Sequence, residues 1–192
     1  MTLRLASKSE TRRRLLASAG VPFEPVDAPF DEEAAKRELA GGGAREVAAR
    51  LAEMKARAAG PGLVLGADQV LELDDGAILG KPGSREELAR QLRRMRGGTH
   101  RLHAAAAIAE DGAIAWRACE SAALTVRAFG DDFVARYVEA EYEAVRWNAG
   151  GYRIEGLGVQ LFERIEGSHF AILGLPLLPL LDYLRARGLV ES

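Results

Sequence analysis

Leu63-Val64-Leu65-Gly66-Ala67-Asp68-Gln69 is the stretch that decides the fold class of this 192-residue chain. Its first five residues are apolar and do not alternate with polar ones, which predicts a central strand buried on both faces. Such a strand needs helices on either side of its sheet, so the predicted fold class is α/β. We expect the strand to end at Ala67, so that Asp68 lies at the sheet edge where open α/β folds bind ligands. The alternative is that Asp68 only forms a turn.

Helical and strand patterns alternate on both sides of this stretch. Ser7 or Ser9 can cap the first helix, Gly20 ends it, and Ser84 begins a capping box. An Asp-Gly pair at 75–76 predicts a hairpin turn. The predicted helices cover residues 12–19, 31–39, 45–59, 84–95, 131–140 and 177–188. The predicted strands cover residues 4–6, 21–26, 62–67, 70–73, 77–79, 100–109, 113–118, 121–127, 152–154 and 159–165.

The composition is that of an ordinary globular protein and excludes several classes. Hydrophobic residues make up 48% and charged residues 28% of the chain, which rules out collagen-like, disordered and disulfide-scaffold proteins. The net charge of -2 argues against a long nucleic acid as partner, because such proteins carry a basic excess. No apolar run reaches the roughly 20 residues that span a bilayer, and the N-terminus lacks a signal-peptide core. With the unpaired Cys119, these features predict a single cytoplasmic domain over residues 1–192 without a membrane partner.

Three further clusters carry groups suited to binding a small anionic ligand. Ser7-Lys8-Ser9-Glu10-Thr11-Arg12-Arg13 places hydroxyls, amides and cations at a strand-to-helix turn, which is how proteins hold a polyphosphate. The alternative is a solvated first helical turn with a serine cap. Gly80-Lys81-Pro82 brings a lysine close to the central strand. Asn148 to Gly158 is rich in glycine, so that a flat ligand can approach the main chain, unless the segment is only a turn between strands.

Two familiar motifs are absent despite partial matches. Residues 76–82 have one residue too few between the glycines for a Walker A sequence, and Pro82 stands where that sequence has a magnesium-binding Ser or Thr. His100 and His103 are spaced for two ligands on a helix, but they fall in a predicted strand without partner cysteines. Neither a P-loop ATPase nor a zinc site is predicted.

In combination, these segments resemble the Maf family of nucleotide pyrophosphatases, also called septum formation proteins. Each motif is weak by itself, and their order along the whole chain makes the match specific. The resemblance implies an elongated, twisted mixed sheet with flanking helices in two lobes around a cleft, as in inosine triphosphate pyrophosphatase. The matching positions are Leu5-Ala6-Ser7 with Ser9, Arg12-Arg13, Asp31-Glu32, Lys55, Gly66-Ala67-Asp68, Gly80-Lys81-Pro82, Gly150-Gly151-Tyr152 to Gly156, Glu166-Gly167 and Gly174-Leu175-Pro176.

The resemblance implies hydrolysis of a nucleoside triphosphate, non-canonical or modified, to the monophosphate and pyrophosphate with Mg²⁺ or Mn²⁺. Asp68 matches the family's proton acceptor, and Glu32 would hold the metal with Asp68. A carboxylate bound directly to a metal is a poorer base, so one of the two roles of Asp68 would be indirect. The positions expected to bind the phosphates are Ser7, Ser9, Arg12, Arg13, Lys55 and Lys81.

An alternative from another class is a non-catalytic nucleotide-binding regulator of cell division. The presence of Asp68 favours the enzyme, because a sensor needs no base. The resemblance also implies a homodimer.

Three positions of the resemblance bear on the choice of base: Thr11, Gln69 and Glu155. Gln69 and Glu155 resemble the 7-methylguanosine triphosphate branch of the family more than the dTTP/UTP branch. A carboxylate at position 155 accepts from N1–H and N2–H of guanine but offers no donor to the carbonyls of uracil. The 7-methylguanosine branch has an aromatic residue where Thr11 stands, so stacking on a methylated purine is missing here.

Overall fold

The computed structural model describes residues 2–191, without the side chain of residue 33. Within that range the chain forms a seven-stranded sheet in the order β2-β1-β3-β5-β6-β7, with β4 paired to β3. β1 runs parallel to β2 and β3, whereas β4 and β7 run antiparallel to their neighbours, so the predicted mixed α/β sheet is confirmed. The strands are β1 (Leu3–Ala6), β2 (Phe23–Pro25), β3 (Leu63–Leu73), β4 (Ile78–Leu79), β5 (Thr99–Glu110), β6 (Ala113–Val126) and β7 (Phe162–Gly167).

Three helices begin after a residue whose side chain caps them, among them the predicted caps Ser9 and Ser84. Ser9 accepts a hydrogen bond from the amide of Arg12, Asp31 from that of Ala34, and Ser84 from that of Glu87. The helices are α1 (Glu10–Ser18), α2 (Glu32–Glu38), α3 (Ala44–Ala58), α4 (Arg85–Met95), α5 (Asp131–Val145), α6 (His169–Ile172) and α7 (Leu177–Ala186).

Asp68 lies inside the central strand, so the prediction that the strand ends before it is wrong. β3 continues from Leu63 to Leu73 and takes in the segment predicted as a separate strand at 70–73. The charge of Asp68 does not interrupt the strand because Lys55 neutralises it. The side-chain amide of the next residue, Gln69, donates a hydrogen bond to a carbonyl of α6. A buried polar group is tolerated when it is paired in this way.

The second half of the chain departs further from the predicted elements. The segments predicted at 113–118 and 121–127 form one strand, β6. Residues 152–154 are not a strand, and 157–161 form a 3-10 helix before β7 begins at Phe162. The short α6 was not predicted, because four residues are too few for a helical periodicity to be visible.

The chain divides into two compact units, described separately below. The first unit takes the chain up to Gln69, His103–Ser121 and the chain from Ser168 onward, and the second takes Val70–Leu102 and Ala122–Gly167. In the second unit α4 packs against α5, with Leu88 and Val134 fully buried. Within residues 2–191, none of the helices is both long enough and apolar enough to cross a bilayer.

The core of the first unit fixes the start of β1 and β3. Leu5 and Leu65 are fully buried in a cluster with Leu16 of α1 and with Leu180 and Leu184 of α7. These aliphatic contacts hold α1 and α7 against the sheet, so the first turn of α1 has a defined position relative to β3.

A close approach brings α3 onto β3. A Cβ placed on Gly66 would lie 2.3 Å from the carbonyl oxygen of Ala52 and 2.5 Å from the amide nitrogen of Ala56. Only glycine leaves room for a backbone at this distance. Lys55, next to Ala56 on α3, is thereby brought level with Asp68 on β3.

Candidate active site

The turn from β1 into α1 links hydroxyl groups to two guanidinium groups. Ser7 Oγ accepts from the amide of Ser9 at 3.3 Å and from Arg12 Nη1 at 3.2 Å. Arg13 Nη2 donates to the carbonyl of Ser7 at 3.4 Å, and Ser9 Oγ accepts from the Arg12 amide. Thr11 lies in the first turn of α1 and is half-buried. Cations at a helix N-terminus oppose the helix dipole, so this arrangement favours a bound anion.

The guanidinium of Arg12 is also held by Gly174, which lies 162 residues away in the sequence. Its Nε donates to the carbonyl of Gly174 at 2.7 Å. Burial lowers the pKa of Arg12, and the negative charges of Asp68 and Glu32 oppose that effect. Because a guanidinium stays protonated in proteins, Arg12 is a fixed positive charge facing those carboxylates.

Arg13 has an unused donor. Its Nε is buried, and no described residue accepts a hydrogen bond from it. A buried donor of this kind needs a partner, and an anionic ligand would supply one.

Lys55, Asp68 and Glu32 meet in a charged cluster. The Lys55 ammonium lies 2.5 Å from Asp68 Oδ1 and 2.8 Å from Glu32 Oε2. The side chain of Asp68 is 8% exposed and that of Lys55 13%. The two carboxylates therefore converge on one cation in a largely buried place, where electrostatic interactions are stronger than in water.

Glu32 is kept ionised by two lysines. Burial would raise its pKa, but the charges and hydrogen bonds of Lys55 and Lys36 outweigh burial and lower the pKa of Glu32 to about 2. Lys36, one turn along α2, contacts Oε1 at 2.8 Å. Glu32 is thus a carboxylate at any physiological pH.

Gln69 is anchored through its amide nitrogen. Nε2 donates to the carbonyls of Ala171 at 2.8 Å and Ile172 at 2.9 Å. Since both neighbours are acceptors, the orientation of the amide is fixed, and Oε1 is the atom left to contact a ligand.

Two predicted site residues belong to the second unit. Lys81 is exposed in the loop after β4, and Glu155 is exposed in the turn at 154–156. The amide of Gly150 donates to the carbonyl of Gly80 at 3.3 Å, so the two loops lie side by side. Convergence of Lys81 and Glu155 with the residues around Asp68 stays a prediction.

The glycines before Tyr152 serve packing. Gly150 and Gly151 have φ of 74° and 64°, and a Cβ on them would lie 2.5 Å from Leu71 and 2.1 Å from Leu88. Tyr152 itself is buried, and its hydroxyl lies 2.7 Å from His100 Nε2. Burial lowers the pKa of His100 to about 4 against the opposing charge of Asp74. The packing contacts of Gly150, Gly151 and Tyr152 favour the alternative in which this segment is a structural turn.

Sequence reasoning missed the contribution of the segment at 171–174. The carbonyls of Ala171, Ile172 and Gly174 hold Gln69 and Arg12. The available signal was the Gly174-Leu175-Pro176 motif, whose glycine has φ of 92°. Among the described residues, no group of three His, Cys, Asp or Glu side chains is arranged to hold a metal ion.

Comparison with known proteins covers nearly the whole sequence. Residues 2–187 match the family model of the Maf-like proteins. A nucleoside triphosphate pyrophosphatase of Sphingopyxis alaskensis is 49% identical over 198 residues, which cover 100% of both chains. One from Caulobacter vibrioides is 49% identical over 189 residues, 96% of this chain and 94% of the relative.

A solved structure from Mycobacterium abscessus, a nucleoside-triphosphatase described as a dITP/XTP pyrophosphatase, is similar with 15% identity and a TM-score of 0.45, covering 98% of this chain and 96% of that one. The conclusion rests on the family match and on the two relatives at 49% identity, both of which extend over almost all residues. The chain belongs to the Maf-like protein family.

Proposed function

We propose that this protein hydrolyses a nucleoside triphosphate to the monophosphate and pyrophosphate, with Asp68 as the proton acceptor. The observation that carries the proposal is the buried carboxylate of Asp68 on the central strand. It contacts Lys55 and interacts electrostatically with the guanidinium of Arg12. A carboxylate beside fixed cations can take a proton from water that attacks phosphorus. The relatives at 49% identity carry the name of this activity.

The triphosphate would bind at the first turn of α1. Arg12 is pre-oriented by Ser7 and Gly174, and Arg13 has the buried unused Nε. Guanidinium forks bind phosphate oxygens in pairs, and the helix N-terminus adds free amides. Lys55, Lys81 and Ser9 complete the proposed set.

The donor set suits Mg²⁺ or Mn²⁺. Glu32 and Asp68 are hard oxygen ligands that already converge on one cationic group, the Lys55 ammonium. Mg²⁺ is commonly held by one or two carboxylates together with substrate phosphates and water, so two protein ligands are enough. When bound, the ion would neutralise charge on the phosphates. Lys55, relieved of the carboxylates, would then be free to contact the same phosphates.

For the base we propose a guanine-type ring. Gln69 presents only its acceptor Oε1, because both donors of Nε2 are engaged by α6. Glu155 is a second acceptor-only group, and guanine offers two adjacent N–H donors where uracil offers one. Thr11 supplies no aromatic face for a methylated purine, so an unmethylated or differently modified guanine is the better candidate.

The compartment we propose is the cytoplasm. Cys119 is the single cysteine of the sequence, and burial raises the pKa of its thiol, against the charge of Arg45. An unpaired protonated thiol is compatible with a reducing compartment.

The decisive experiment measures pyrophosphate and phosphate separately for a panel of canonical and modified triphosphates with Mg²⁺ or Mn²⁺. We expect pyrophosphate as the product, with guanine-type bases turned over fastest. Release of phosphate alone would contradict the proposal. Binding of a triphosphate without turnover of any member would favour the nucleotide-binding regulator.

A further inference from the structure

The guanidinium of Arg12 is bonded on two of its edges. Nε donates to the carbonyl of Gly174 at 2.7 Å, and Nη1 donates to Ser7 Oγ at 3.2 Å. No described residue accepts from Nη2. The plane of the guanidinium is thereby set before any ligand arrives, and the Nη2 edge is left for one.

The carbonyl of Gly174 is itself fixed by the core. The amide of Gly174 donates to the carbonyl of Ala171 at 3.0 Å, and the amide of Leu175 donates to the carbonyl of Phe170 at 3.1 Å. Leu175 is fully buried in the cluster that contains Leu5 and Leu65. The acceptor for Arg12 is therefore held in place by backbone hydrogen bonds and by the burial of the next residue.

Position 174 requires glycine for two reasons. Its φ is 92°, a left-handed conformation that side chains disfavour. A Cβ built there would lie 3.3 Å from both Nε and Nη2 of Arg12. This contact is slightly too tight, so a side chain would displace the guanidinium by a few tenths of an ångström.

We propose that Gly174 is a positioning residue for the reaction: its carbonyl orients Arg12 toward the phosphate groups of the substrate, and its missing side chain leaves the Nη2 edge open. The inference rests on the proposed function, because it takes Arg12 as a phosphate ligand. A charge-assisted hydrogen bond to the backbone is strong enough to hold one rotamer of a flexible side chain. Misplacement of such a group by about 1 Å can cost as much as 10²-fold in rate.

The test compares Gly174→Ala with Gly41→Ala. Gly41 has a similar φ of 97° and nothing within 4 Å of a built Cβ, so its substitution strains the backbone in a left-handed conformation without touching Arg12. Affinity for inorganic pyrophosphate is measured by calorimetry, and KM and kcat for a triphosphate are measured separately. We expect Gly174→Ala to weaken pyrophosphate binding and raise KM by about tenfold, and Gly41→Ala to change neither.

The expected effect depends on Arg12. In an Arg12→Ala background, adding Gly174→Ala should leave pyrophosphate affinity unchanged, because the group being positioned is gone. Equal effects of Gly174→Ala with and without Arg12, or equal behaviour of Gly174→Ala and Gly41→Ala, would overturn the inference. A wild-type protein that neither binds pyrophosphate nor releases it would instead contradict the proposed function.

A measurement on the wild-type protein covers the case in which Gly174→Ala does not fold. The Nε–H of Arg12 should exchange with water at least tenfold more slowly than that of Arg14, which is exposed on the same helix. The slow exchange should persist when pyrophosphate is added. Equal exchange rates for the two arginines would show that Gly174 does not hold the guanidinium.

Discussion

Lys55 Nζ lies 2.5 Å from Asp68 Oδ1, and this contact joins the last turn of α3 to the middle of β3. Both side chains are largely buried, so neither charge can be solvated if the other is removed. The same ammonium also holds Glu32. The electrostatic balance of the site therefore depends on one lysine between two carboxylates.

Replacing Asp68 with Asn should abolish most of the activity and leave the fold intact. The variant keeps Lys55 paired with Glu32, but the amide cannot take a proton, so turnover should fall by about 10²-fold or more. Initial rates of pyrophosphate release measure the loss. Asp182→Asn, at an exposed site on α7, is the matched control and should retain full turnover. An unchanged rate in the Asp68 variant would remove this residue from the mechanism.

Replacing Lys55 with Met should destabilise the protein through repulsion between two carboxylates. Lys36 would still contact Glu32, but the ammonium between Glu32 and Asp68 would be gone, at a cost of about 2 to 4 kcal/mol in the free energy of unfolding. Because Mn²⁺ can replace the missing charge, millimolar Mn²⁺ should raise the unfolding midpoint of this variant more than that of the wild type. Lys36→Met, which removes the more exposed partner of Glu32, should cost less than about 1 kcal/mol. The same response to Mn²⁺ in all three proteins would refute a metal site at these carboxylates.

Glu32 should make stability depend on pH in an acidic window. Its pKa falls from 4.5 to about 2 on folding, so the ionised form favours the folded state. The contribution is complete above about pH 4.5 and is lost as the pH falls toward 2. Relative to Glu32→Gln, the wild type should be more stable at neutral pH by about 1 to 2 kcal/mol, a figure reduced for solvent screening. Denaturant titrations from pH 7 to pH 2 test whether this difference in the free energy of unfolding becomes smaller in acid. Glu38→Gln on the same helix serves as the control. A difference in the free energy of unfolding that stays constant in acid would contradict the ion-pair interpretation.

Gly66→Ala should be among the most damaging substitutions in the chain. Its Cβ would lie 2.3 Å and 2.5 Å from backbone atoms of α3, which cannot move aside as a side chain can. We expect a loss of about 3 kcal/mol or more, measured by thermal unfolding. Gly83→Ala, where nothing lies within 4 Å, should change stability by less than about 0.5 kcal/mol. Similar melting temperatures for the two variants would show that α3 is not locked to β3 at this point.

Local chemistry in the sequence was enough to predict much of the first unit. Ser9 caps its helix because a hydroxyl before a helix has a local partner, and the apolar run from Leu63 identifies the central strand. The boundary at Asp68 was predicted wrongly, because a lone sequence does not reveal that Lys55 neutralises the aspartate from another element.

Contacts between distant parts of the chain could not be read from periodicity. Arg12 and Gly174 are 162 residues apart, and Gln69 meets Ala171 across 102 residues. Residues 152–154 were predicted as a strand, and Tyr152 is indeed extended, but the chain turns at 154–156 before a strand can form. The geometry around Arg12 and Gln69 follows from tertiary packing, which has no local signature.

Asp68 lies in the middle of the 11-residue strand β3, two residues beyond Gly66, where the pairing with β1 ends, and this position has a kinetic consequence. Amides in a central strand exchange their hydrogens only when the cooperative unit unfolds, unlike those of a loop or a lid. We therefore expect the backbone at Asp68 to stay in place during turnover, while the groups that approach the carboxylate move. Deuterium uptake at Asp68 as slow as that at Leu65, which pairs with β1, would show that the backbone at position 68 opens only when its unit unfolds.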